Sequence, residues 1–206
     1  MESKIGINQR IPMQSLEDAL IAMMNGTYDD EYAIELAKRD YEGENRLKKA
    51  MHVMNKMIRN SPLMPFIMDN SKKISIALKS HDDRAMLLIS LVNVAYGFCY
   101  DVTAVLGKYF HAQTLVSTKL IQTKLSEKYG TNRTLPNGLY CILPMLVDAG
   151  FITRPKTGFY KMCKLSPVTE IAMELYRRSF LANNPLLDEN YPIENNFYFE
   201  FIERLL

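Results

Sequence analysis

Three histidines and three cysteines are the side chains of this 206-residue chain best suited to catalysis or metal binding. His52, His81 and His111 stand far apart, and none has a carboxylate at ligand spacing on the same helical face. The one local cluster, His81-Asp82-Asp83, reads better as the start of a helix, where acidic side chains offset the positive end of the dipole. Cys99, Cys141 and Cys163 form an odd set without a CxxC pair, as a reducing compartment permits. The phosphate-loop, GxGxxG, HExxH and GxSxG patterns are absent, and the only Glu-x-Lys is Glu2-Ser3-Lys4. These readings predict a protein that is not an enzyme, with no catalytic residue, no metal and no cofactor.

Charge carries more information than these side chains do. The formal net charge is only +2, too mild by itself to announce a nucleic-acid binder. Its distribution is uneven. Between His111 and Arg178 stand ten basic residues (Lys119, Lys124, Lys128, Arg133, Arg154, Lys156, Lys161, Lys164, Arg177, Arg178) against Glu127, Asp148, Glu170 and Glu174. That segment therefore carries +6, leaving −4 for the rest of the chain. Lysines and arginines concentrated on one unit are the electrostatic footprint of phosphate binding.

The elements that must position these cations are mostly helical. Ser15 opens a capped amphipathic helix ending at Asn25-Gly26, and Thr27 to Asp30 opens a second. A third runs from about Asn45 to Arg59, with Leu47, Met51, Met54 and Ile58 inward and Arg46, Lys48, Lys49, Lys56 and Arg59 on an ordinary exposed face. Residues 62–80 read as two short helices around Asp69-Asn70-Ser71. Asp82 begins the longest apolar helix, bent near Tyr100-Asp101 and ending near Phe110 to Gln113. Its charge-free stretch, Ala85 to Tyr100, is 16 residues long, shorter than the roughly 20 apolar residues a bilayer requires. The 13 methionines are expected to fill the core.

From Thr114 onward the pattern changes. Leu115 to Tyr129 reads as a helix closed by Gly130, Asn132-Arg133-Thr134 as a turn and cap, and Leu135 to Ala149 as a second helix stopped by Gly150. Phe151-Ile152-Thr153 and Phe159 to Leu165 then flank the polar tip 154–158 as a hairpin, and Ser166-Pro167 caps a final helix to about Leu181. Helix, turn, helix, hairpin, helix is the order of a winged helix. Pro144 inside the second helix should kink it. The expected fold class is mainly α: an N-terminal helical bundle over 1–112, a winged-helix-like unit with one small β-hairpin over 113–182, and an acidic aromatic tail over 183–206. That tail, with Phe197, Tyr198, Phe199 and Phe201, is expected to pack on the body or to dock into a partner.

On this plan Asn137, Tyr140 and Cys141 lie opposite the apolar face of the recognition helix, with Arg133 at its start. Asn137 could pair with adenine edges and Arg133 with guanine or phosphate. Arg154, Lys156 and Lys161 belong to the wing, and Lys119 and Lys124 are phosphate candidates on the preceding helix.

Several features together resemble the small A protein of BREX phage-defence systems, a family once known only as a domain of unknown function. They are the helix Tyr32 to Ala37 followed by Asn45-Arg46 and a basic amphipathic helix, the long apolar helix after His81-Asp82-Asp83, and Leu146-Val147-Asp148-Ala149-Gly150-Phe151-Ile152 before a hairpin. The resemblance implies an intracellular prokaryotic protein that binds double-stranded DNA and works beside other phage-defence proteins. It supplies no catalytic residues. The expected function is thus non-enzymatic DNA binding in a cytoplasmic defence assembly, away from the membrane. The alternatives are a helical adaptor for other protein subunits and a winged-helix transcription regulator.

Overall fold

The computed structural model describes residues 4–131, 133–188, 190–193 and 196–203. Chain order runs α1 (Met13–Met24), α2 (Asp30–Lys38), α3 (Glu44–Met57), α4 (Met64–Asp69), α5 (Ser71–Ala77), α6 (His81–Ala95) and α7 (Gly97–Ala112). Then follow β1 (Val116–Ser117), α8 (Thr118–Tyr129), α9 (Thr134–Asp148), β2 (Ile152–Lys156), β3 (Phe159–Met162), α10 (Glu170–Asn183) and a 3-10 turn at Phe197–Phe199. The fold is mainly helical with one small antiparallel sheet in the order β1-β3-β2. Buried apolar side chains form one continuous cluster from Ile5 to Ile202.

Helix α6 runs through the middle. Eleven of its fifteen residues are buried, the all-round apolar pattern of a helix covered on every side. Helix α10 packs along it. Six methionines, Met13, Met54, Met57, Met64, Met86 and Met145, are buried as core filler.

The break between α6 and α7 falls at Tyr96-Gly97, four residues before the expected bend at Tyr100-Asp101. Tyr96 is extended (φ −137°, ψ 102°), and its buried ring lies under the Lys56 ammonium, 4.0 Å from the ring centre. Asp101 instead sits within the first turns of α7, where it accepts from Lys128 Nζ at 2.6 Å and from the Tyr129 hydroxyl.

Two helix starts differ from the expected ones because their caps come from distant residues. Ser15 lies inside α1, not before it; the helix begins at Met13, whose N–H donates to Asp148 Oδ2 at 2.7 Å. Helix α10 begins at Glu170, past Ser166-Pro167. Asp83 on α6 accepts from the Val168 N–H at 2.8 Å, and Asp82 accepts from the Ser166 N–H at 2.8 Å. The His81-Asp82-Asp83 cluster does open α6, and it also secures the approach to α10.

The tail packs on the body. Tyr198, Phe199, Phe201 and Ile202 are buried, and Tyr198 stacks on Tyr176 with centroids 4.4 Å apart. Leu165, just after β3, exchanges backbone hydrogen bonds with the tail: its N–H donates to Phe201 O at 2.8 Å, and Glu203 N–H donates to Leu165 O at 2.7 Å. A β-carbon on Gly107 would lie 1.9 Å from Phe197 O, so α7 needs glycine there for the tail to approach.

Candidate nucleic-acid interface

Helix α7, strand β1, helices α8 and α9, and strands β2 and β3 follow one another in the order of a winged helix, with α9 in the recognition position. The sequence predicts two strands; the structure adds β1. Residues 115–117 are therefore not helical: Val116 pairs with Tyr160 and Ser117 with Phe159. Two residues are too few to show a periodicity, so only the sheet partner reveals this strand. Ser117 then caps α8, its hydroxyl oxygen accepting from the Leu120 N–H at 3.2 Å.

Pro144 lies inside α9, which is a single helix from Thr134 to Asp148. Eight of its fifteen residues are buried. Arg133, Pro136, Asn137 and Tyr140 are exposed, and Pro144 and Val147 are half-buried. At 100° per residue these six fall within one sector of the helix. Tyr140 is 85% exposed, a degree of exposure at which a tyrosine contributes almost nothing to packing. Cys141 faces inward, not outward as expected, and burial pushes its thiol pKa up. Asn132, assigned to the turn before α9, lies outside the described residues.

The structure sorts nine of the ten basic residues of this region by partner, and the tenth, Arg177, is half-buried on α10. Lys124 pairs with Glu127, Lys128 with Asp101 at 2.6 Å, Lys164 with Glu200 at 3.4 Å and Arg178 with Glu174 at 2.7 Å. Lys119, Arg133, Arg154, Lys156 and Lys161 are exposed, and among the described residues none of the five has an acidic partner. They occupy the first turn of α8, the start of α9 and the wing. Because the Lys124–Glu127 pair is an exposed contact within one helix, it is worth little and yields readily to a stronger anion.

The wing and the start of α8 adjoin. Thr118 N–H donates to Gly158 O at 2.9 Å across the hairpin tip, which brings Lys119 beside the tip residues. Within the sheet Lys161 pairs with Thr153 and Lys156 with Phe159, with a register shift between Thr153 and Lys156. The Lys156 ammonium lies 4.2 Å from the centre of the Phe159 ring, which shares its outer face with Lys161. A bulge in a hairpin arm increases the local twist and re-aims its side chains.

One neighbour of α9 is not predicted from helical periodicity: the segment 4–11, whose Ile5, Ile7 and Ile11 are buried. The available signal was the spacing of those isoleucines between polar residues. Elsewhere, His81 Nδ1 meets Asp82 Oδ1 at 2.8 Å and His111 Nδ1 meets Glu200 Oε2 at 3.1 Å. No group of three or more His, Cys, Asp or Glu among the described residues could hold a metal ion. None of the described helices is long and apolar enough to cross a membrane. No family model, curated protein or solved structure matches this chain.

Proposed function

We propose that this protein binds double-stranded DNA without catalysing a reaction, presenting α9 to the major groove and gripping phosphates with the cations around it. The observation that carries the reading is the sorting of charge. Five cations without acidic partners lie in the first turn of α8, at the start of α9 and on the wing, whereas four other basic residues of the same segment are paired with carboxylates. Keeping unpaired cations together costs self-repulsion, which a polyanion relieves by releasing its condensed counterions. Asn137 and Tyr140 are then the side chains that meet base edges, and Lys119, Arg133, Arg154, Lys156 and Lys161 hold the backbone. Lys124 joins them by exchanging Glu127 for a phosphate. The resemblance to the BREX A family adds a setting, service beside other phage-defence proteins in the cytoplasm.

A salt titration of binding to a random duplex tests this. Six phosphate contacts give a slope of log K against log salt of about −5.4, an affinity loss of ~1,800-fold between 50 and 200 mM salt. The triple change Arg133→Ala, Arg154→Ala and Lys156→Ala should make the slope shallower by about 2.7. A wild type that fails to bind even at low salt refutes the reading.

A second reading, a helical adaptor for protein subunits, has its own observation. A groove between α5 and α10 is lined by Phe66, Ile76 and Ile171, and Ile76 is 62% exposed and nearby Val168 75% exposed. Complex formation without nucleic acid, lost on Ile76→Asp, would favour it. A preference of about 10³ or more for one duplex over random DNA would mark a transcription regulator.

A further inference from the structure

Between Ile5 and Met13 the chain runs alongside α9. At one end a β-carbon on Gly138 would lie 2.5 Å from Ile5 Cγ2 and 2.7 Å from Phe98 Cε1, so a glycine in α9 opens the space that Ile5 fills. At the other end Met13 N–H donates to Asp148 Oδ2 at 2.7 Å. Gly138 and Asp148 are about 15 Å apart along the helix, a span the segment covers with room to spare. Between these points the Tyr41 hydroxyl donates to Arg10 O, which ties the segment to the chain just after α2. Burial pushes the Cys141 thiol pKa up, and the Arg10 charge opposes that shift.

The flank of α9 that holds Gly138 also carries the buried Cys141 and Met145, and on the helical wheel it borders the exposed stripe at Asn137. Burial along the segment is selective. Ile5, Ile7 and Ile11 are 7%, 3% and 1% exposed, whereas Lys4, Asn8 and Arg10 face solvent. Neither Lys4 nor Arg10 has an acidic partner among the described residues. Within α9 the exposed stripe has no cation beyond Arg133 at its start, so positive charge along that edge can come only from a neighbouring element.

We infer that residues 4–11 form a second edge of the nucleic-acid interface, with Lys4 and Arg10 contacting the DNA backbone beside the groove that α9 enters. The inference rests on the DNA-binding reading above. The three isoleucines and the α1 cap seat the segment in advance, so its cations are positioned without the entropy cost of ordering a free arm. Lys4 and Arg10 add two phosphate contacts to those six, and the wild-type slope steepens to about −7.2.

The test compares three variants of the full chain on one random duplex: Lys4→Ala with Arg10→Ala, the triple variant above, and Lys72→Ala with Lys73→Ala as an equal loss of charge on α5. All these positions are exposed, and circular dichroism confirms an unchanged fold. The expected result is a slope shallower by about 1.8 for the Lys4/Arg10 variant and unchanged for the Lys72/Lys73 variant. If the Lys4/Arg10 variant titrates like the wild type while the triple variant weakens, the inference is overturned and the DNA reading stands. Equal weakening in the Lys72/Lys73 variant also overturns it, because net charge then suffices. A wild type that does not bind removes both.

Discussion

Replacing Tyr198 by phenylalanine removes a single oxygen from the contact of the tail with α6 and α10. Tyr198 is fully buried. Asn93 Nδ2 donates to its hydroxyl at 2.9 Å, and Ser179 Oγ lies 2.7 Å away. Ser179 has one proton and gives it to Tyr176 O at 2.7 Å, so Tyr198 must donate to Ser179 and accept from Asn93. The phenylalanine therefore leaves one amide proton of Asn93 without an acceptor in a region closed to water. An orphaned buried donor costs about 1–3 kcal/mol. Ser179 loses only a donor to a lone pair, which is much cheaper.

Taking about 2 kcal/mol, and about 3 kcal/mol/M for the urea dependence of a chain this size, the unfolding midpoint falls by about 0.7 M with unchanged slope. Urea unfolding followed by circular dichroism measures it. The Asn93→Ala background supplies the control. With the donor already gone, Tyr198→Phe should cost less there by about 1 kcal/mol or more. A Tyr198→Phe protein within about 0.5 kcal/mol of wild type, or fully additive losses, would refute the proton assignment and with it the tail as a specific structural strap.

Other outcomes follow from the same reasoning. Asp83→Ala should destabilise by about 1–3 kcal/mol, because the Val168 N–H at the approach to α10 then loses a buried acceptor; thermal unfolding measures this, and an unchanged midpoint would show that the cap is dispensable. Thiol labelling of the native protein should run in the order Cys163, Cys141, Cys99. Burial pushes all three pKa values up, and Cys99 is fully buried while Cys163 is partly open; mass spectrometry of peptides gives the order, and early modification of Cys99 would contradict it.

Much of the helical plan is legible in the sequence because apolar spacing reports which residues share a face. The charge-free run from Ala85 onward announces the buried central helix, and Leu135 to Val147 announces α9. The excess of cations between His111 and Arg178 is also plain in the sequence, since formal charge needs no coordinates. The sequence does not show which cations have partners. Lys128 and Lys119 look alike in the chain, and only Asp101, 27 residues back on α7, separates them. The caps of α1 and α10 come from Asp148 and Asp83, 135 and 85 residues away, and no local pattern encodes such a distant acceptor. Strand β1, a two-residue element, exists only because Tyr160 and Phe159 pair with it. The seat of Ile5 against Gly138 depends likewise on a gap in another helix. Periodicity, formal charge and pairs one helical turn apart are properties of neighbours along the chain, whereas the caps of α1 and α10, the Lys128–Asp101 pair and the sheet register belong to residues that only folding brings together.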